Sequence, residues 1–203
     1  MAEVPPARYD ALRGAATPPG TDVPPYRVLW AGQPETDSCL ATLEFALSFL
    51  RAPDIELLFR AHPRDAGYAA GAYRGVLAAL APRCRDVSAV PLQQLLREPL
   101  RLVLTQYSSV AIECGFLGVP SVHLLLPGAG ETLLHAQKGY KVPMPCAAGA
   151  AFLVNDSRST GLLDTALRDT AARQSVLDRF AALYHVAQPQ GPRLAGSVAG
   201  IMG

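Results

Sequence analysis

The sequence predicts an α/β fold: a doubly wound, Rossmann-like parallel sheet of about six strands with helices on both faces. Three observations predict it. Short apolar runs recur along the chain, separated by helix-compatible segments of about ten residues, which is the rhythm of βαβ units. Several runs are almost continuously hydrophobic, "RLVLTQY" at 101–107 and "PSVHLLL" at 120–126 among them, as expected of strands covered on both faces. Half of the 203 residues are hydrophobic, enough for one substantial core.

Residues 1–25 are rich in proline, glycine and alanine and read as a linker or arm, leaving 26–203 as the folded domain. "YRVLWAG" (26–32) is the first strand and stops at Gly32. Leu40, Leu43, Ala46, Leu47 and Leu50 fall close to helical spacing in 37–51, with Asp37 or Ser38 as the cap. "IELLFRAH" (55–62) is the second strand, followed by a helix over 68–81 that contains two glycines. A short third strand at 85–91 and a short helix at 92–98 come next. The fourth strand (101–107) leads into a helix over 109–118 that ends on Gly118. The fifth strand (120–126), a helix near 132–138, a sixth strand at 150–154 and helices filling 160–184 complete the domain, and 192–202 closes the chain. Six such strands suit the order 3-2-1-4-5-6, with ligands bound outside the carboxyl ends near the switch point between strands 1 and 4.

Composition narrows the function. Eighteen basic residues against seventeen acidic give a net charge of +1, which supplies no field for steering to nucleic acid or an anionic membrane. No stretch reaches the ~20 apolar residues of a membrane span, and the N-terminus lacks a signal pattern. Cys39, Cys84, Cys114 and Cys146 form no C-x-x-C pair and no zinc-ligand spacing, so they read as reduced, mostly buried thiols of a cytoplasmic protein.

The turns after strands 1, 2, 4 and 5 should share one rim. Gly32 permits close backbone approach of a ligand. The helix beginning at Ser109 points N–H groups and the positive end of its dipole at that rim, and Ser108 and Ser109 add hydroxyls. Arg60 and His62 add two further donors, the second titrating near neutrality. Together they describe a phosphate-binding rim. Each also has a plainer role open to it: Ser108 or Ser109 as a helix cap, Arg60 as a surface residue, His62 as the close of a strand. Glu113, one turn after Ser109, also fits as a salt-bridged helix residue. His123 reads as a core histidine, and His135 and Lys138 as solvent-exposed.

The series "LWAGQPET", "LLFRAHPRD" and "VLTQYSSVAIECGFLGVPSV" resembles the C-terminal, donor-binding half of GT-B glycosyltransferases. It is most similar to the bacterial sialyltransferase and polysialyltransferase type, and it is related to the UDP-N-acetylglucosamine 2-epimerases. The resemblance implies a single GT-B half-domain that binds a CMP- or UDP-sugar for surface polysaccharide or glycan synthesis. It makes His62 the catalytic contact to the leaving phosphate, with Ser108 and Ser109 holding the same group and Glu113 accepting from the ribose hydroxyls. Gly32 and Gln33 would line the inter-domain cleft, and no metal or cofactor is implied. An N-terminal acceptor domain would be a separate or missing partner, since a 25-residue arm stands in its place. An epimerase-like half and a non-catalytic nucleotide-binding or interaction module remain as alternatives.

Overall fold

The computed structural model describes residues 23–128 and 130–184. Residues 1–22 of the arm read over 1–25, and the closing segment at 192–202, lie outside these. Six parallel strands, β1 (Tyr26–Ala31), β2 (Ile55–Arg60), β3 (Cys84–Asp86), β4 (Leu100–Thr105), β5 (Ser121–Leu124) and β6 (Phe152–Val154), lie in the expected order β3-β2-β1-β4-β5-β6. The chain reverses direction across the sheet between β1 and β4, which is the switch point. Every residue of β4 is buried, the signature of a central strand covered on both faces.

Alternation along the strands divides the core. Val28, Trp30, Phe59, Leu104, Val122 and Val154 face one layer, where they pack against α1 (Thr36–Phe45), α2 (Leu47–Leu50), α4 (Arg74–Leu80) and α9 (Gly161–Arg168). Leu29, Ala31, Leu58 and Val103 face the other, against α5 (Leu92–Leu95) and α6 (Val110–Phe116). Between α2 and α4 lies the short α3 (Ala66–Ala69); α7 (Gly130–Lys138) and α8 (Met144–Ala147) link β5 to β6. Helix α10 (Thr170–Leu183) closes against α6, where Phe116 and Phe180 meet edge to face with centroids 5.5 Å apart.

Four departures from the sequence reading have local causes. The helix expected over 37–51 is interrupted for one residue at Ala46, and its N-cap is Glu35, which makes no side-chain cap bond. The helix expected over 68–81 splits into α3 and α4 because Gly71 adopts φ +81°, a left-handed turn that a helix interior cannot contain. Strand β3 stops at Asp86 instead of running to 91: the Asp86 carboxylate folds back to accept the Ser88 N–H at 2.9 Å. Helix α8, absent from the reading, starts with Pro143 as N-cap and Pro145 inside the first turn, where a missing N–H costs nothing.

Candidate functional site

Strand register fixes which turns meet. Arg60 and Thr105 both pair with Ala31, and Thr105 pairs with His123, so these residues stand level on β2, β1, β4 and β5. Strands lie about 4.8 Å apart, so β2 and β4 leave the sheet roughly 10 Å from each other with Gly32 between them. His62 follows two residues after β2, and Ser108 and Ser109 follow β4 by three and four. The structure therefore brings His62, Ser108, Ser109, Gly32 and Gln33 to one end of the sheet, at the switch point.

Two fully buried side chains hold this rim, and the sequence reading missed both. The Thr105 hydroxyl donates to the Ala31 carbonyl at 2.7 Å and accepts the Ser108 N–H at 3.2 Å, pinning the serine turn to the end of β1. The Gln106 amide donates to the Ser38 carbonyl (3.1 Å), the Ser38 hydroxyl (2.6 Å) and the Thr42 hydroxyl (2.9 Å), tying the same turn to α1. Their only sequence signal is polarity at the tail of an apolar run, "LVLTQ".

The predicted residues divide by what they touch. The Gln33 N–H donates to the Cys39 sulfur at 3.2 Å and its amide reaches Thr105 at 3.5 Å, so this buried side chain braces the turn from within. The close approach at Gly32 is to the chain itself: a Cβ there would stand 3.2 Å from the Arg60 carbonyl oxygen and 3.3 Å from the His62 nitrogen. Arg60 donates to the carbonyls of Val90 and Val87, fastening the loop after β3. The Ser108 hydroxyl accepts the Val110 N–H at 3.3 Å, and the Ser108 carbonyl accepts that of Ala111 at 3.2 Å, so the first N–H groups of the seven-residue α6 are engaged locally. Ser109 is exposed and its hydroxyl makes no capping bond. Glu113 is buried on α6 and donates its N–H to the Ser109 carbonyl at 3.2 Å.

His62 is poised as a donor. Its Nδ1 accepts the Arg64 N–H at 3.1 Å, so in the neutral ring the proton sits on Nε2. Partial burial, helped by the positive charge of Arg64 and opposed by Glu35 and Asp65, holds its pKa below the ordinary histidine value. The imidazole is thus neutral at pH 7 and offers one N–H. The turn carrying it is anchored by buried Asp65, which accepts from the Thr36 hydroxyl, the Tyr73 hydroxyl and, at 3.2 Å, the Tyr68 N–H; the Asp65 N–H donates to the His62 carbonyl at 2.9 Å.

Beside these residues at the same end opens a cleft of about 770 Å³. Glu35–Ser38 at the start of α1 form one wall, Gly67 and Ala72 a second, and Gly128, Thr132 and Leu133 a third. The size suits a small-molecule ligand. None of the seven predicted residues lines it; Glu35 and Gly67, which do, are three and five residues from Gly32 and His62. The signal was present in "GQPETDS", a polar run directly after strand 1. Glu35 ties the cleft together, accepting from the Tyr107 hydroxyl at 3.2 Å and from the Gln137 amide at 2.7 Å.

His123 is buried, as expected of a core histidine. Its Nδ1 donates to the Gln106 carbonyl at 2.9 Å, while Nε2 is buried with no hydrogen-bond partner among the described residues, and burial lowers its pKa to about 4. His135 and Lys138 are exposed, Cys39 and Cys114 are buried, and Cys84 and Cys146 are half-buried; all four thiols are free. Among the described residues no group of three or more His, Cys, Asp or Glu is placed to hold a metal ion, and no helix is long and apolar enough to cross a membrane.

Sheet order, switch point and polar carboxyl rim define a single Rossmann-like half-domain of the GT-B kind. Solved structures bear this out. The chain is similar to the C-terminal domain of a group 1 glycosyl transferase family protein (LpcC) from Francisella tularensis, with a TM-score of 0.51 and 18% identity over 84% of this chain and 89% of that one. It is also similar to the wall teichoic acid polymerase TagF (TM-score 0.56, 16% identity, 89% of this chain and 42% of that one). A third likeness is to UDP-GlcNAc 2-epimerase from Methanocaldococcus jannaschii (TM-score 0.53, 15% identity, 79% of this chain and 46% of that one). The chain thus spans less than half the length of the last two, and at these identities the likeness is one of fold. No family model matches the sequence, and no curated protein is significantly similar to it.

Proposed function

We propose that the chain is the nucleotide-sugar-binding half of a glycosyltransferase, acting in the cytoplasm in glycan or surface-polysaccharide synthesis and completed by an acceptor domain. The observation that supports the reading is the level exit of β2 and β4 on either side of β1, with Arg60 and Thr105 both paired to Ala31, so that the turns carrying His62 and the Ser108-Ser109 pair start from one end of the sheet. His62 donates Nε2–H to the phosphate that becomes the leaving group, and Ser109 adds its hydroxyl. Ser108 shapes the turn, and its hydroxyl hydrogen is available to the same phosphate while its oxygen accepts from Val110. Charge that develops on the departing phosphate is met by these neutral donors. Glu113 accepts from the ribose hydroxyls. An epimerase-like half has the same fold support, and base preference separates the two: CMP for the sialyltransferase-like reading, UDP for the epimerase-like one.

Calorimetric titration of CMP, UDP and the parent nucleosides tests this. Replacing Ser108 and Ser109 together by alanine is expected to weaken the phosphorylated ligands about tenfold and leave the nucleosides unchanged. Equal loss for both would remove the serines from the phosphate site, and binding of neither nucleotide would favour an interaction module.

A further inference from the structure

The turn that carries His62 also carries a cation, Arg64, whose side chain braces nothing around it. The His62 carbonyl accepts the Asp65 N–H at 2.9 Å, so Pro63 and Arg64 occupy the two corner positions of a β-turn at the carboxyl end of the sheet. Both are exposed. The Arg64 backbone is fixed to the imidazole itself, its N–H donating to Nδ1 of His62 at 3.1 Å. Its guanidinium makes no hydrogen bond or ion pair with a described residue. Arg60, two residues before His62, is engaged instead by the carbonyls of Val90 and Val87. Of the charges acting on the His62 ring, those of Glu35, Asp65 and Arg60 among them, that of Arg64 is the largest, as expected of a guanidinium held near the imidazole.

The other donors proposed for this rim, Nε2–H of His62 and the serine hydroxyls, are neutral. A phosphate diester carries a full negative charge and a pyrophosphate more. Glu35, whose described partners Tyr107 and Gln137 are neutral, keeps its own negative charge at the same end of the sheet. Neutral hydrogen bonds orient an anion, but its repulsion by a nearby carboxylate is offset by a cation. We propose that Arg64 is that cation: its guanidinium pairs with the phosphate held by His62 and Ser109. This rests on the phosphate site proposed above and adds a binding residue to it, one whose fork of N–H groups matches phosphate oxygens. Backbone and side chain of Arg64 then do separate work, the first setting the tautomer of His62 and the second supplying charge.

Because the contact to Nδ1 is made by the main chain, Arg64→Gln removes the charge and leaves the turn and the tautomer of His62 in place. Calorimetry on the full chain with CMP, UDP, cytidine and uridine compares it with Arg64→Lys and the unaltered protein. Arg64→Gln is expected to weaken the nucleotide that binds about tenfold and to leave its nucleoside unchanged. Arg64→Lys should fall in between, and the penalty should shrink as salt is raised. A Gln variant that binds the nucleotide as well as the unaltered chain would overturn the assignment of Arg64; His62→Ala, measured beside it, says whether the phosphate site falls too. If neither nucleotide binds, the nucleotide reading fails and inorganic pyrophosphate decides Arg64 alone. It should shift the His62 ring signals in NMR spectra of the unaltered chain and not of Arg64→Gln. No shift in the unaltered chain, or equal shifts in both, would refute the proposal. The titration of the His62 ring adds a check that needs no ligand. Removing a neighbouring positive charge should raise its midpoint in Arg64→Gln, and an unmoved midpoint would contradict the proposal by placing the guanidinium away from the ring.

Discussion

The two ends of the sheet solve the problem of charge in opposite ways. At the amino end charges cancel in pairs: Arg27 meets Glu56 at 2.9 Å and Glu98 at 3.2 Å, Arg85 meets the same two carboxylates at 3.8 and 3.5 Å, and Arg168 is paired with Asp54. Arg101 and Arg168 also lie over the Tyr26 ring, 5.3 and 5.7 Å from its centroid. At the carboxyl end the described partners of Glu35 and Asp65 are hydroxyls, an amide and a backbone N–H. Paired charges leave little field for a ligand. Carboxylates held by neutral donors keep theirs, and the same end carries the neutral donors suited to a phosphate.

That contrast predicts where the fold is sensitive. The largest effect concerns His123. Its ring takes a proton near pH 6.5 when unfolded but only near pH 4 when folded, so protonation favours unfolding. The stability this neutral histidine contributes is complete above pH 6.5 and is lost as pH falls to 4, about 3 kcal/mol in all. Urea titrations at pH 7 and pH 4 should show His123→Asn losing less stability on acidification than the unaltered chain; an equal loss would mean the folded ring titrates normally. Next, Gln106→Leu removes the donor to Ser38 and Thr42. It is expected to cost about 2 kcal/mol by urea denaturation, because buried acceptors are left unmatched. Thr105→Val deprives the Ala31 carbonyl of its hydroxyl donor and should cost about 1 kcal/mol. Smallest is Arg27→Met at the amino end. Its ion pairs are about a third exposed, so the loss should fall below about 1 kcal/mol and shrink further in salt. An Arg27 effect larger than that of Gln106 would break the comparison.

The strand order was legible because buried parallel strands write themselves as apolar runs, and six of them with a switch after the third leave few topologies. Helix continuity was less so. "YAAGAYRGVLAALA" has the composition of one helix, and nothing short of the φ at Gly71 reveals the turn within it. "VPMPCA" looks like a loop because proline usually breaks helices, yet here it opens one. At the site, His62 and the serines could be placed on one rim from the end of each strand alone. The duties of Gln33, Arg60, Thr105 and Gln106 could not: whether a polar side chain at a strand end turns inward as a strut or outward to a ligand depends on register and on the neighbouring turn, which a one-dimensional pattern does not carry. The cleft residues Glu35–Ser38 were hidden for a related reason, since a polar run that starts a helix is also what an ordinary cap looks like.

Central to the account is that the imidazole after β2 reaches the same phosphate as the turn after β4. The dissociation constant of a nucleoside monophosphate from His62→Ala, set beside that of the unaltered chain, tests it most directly. The account predicts at least a tenfold weakening, about 1.4 kcal/mol, with the matching nucleoside unaffected. An unchanged constant for the monophosphate would contradict it.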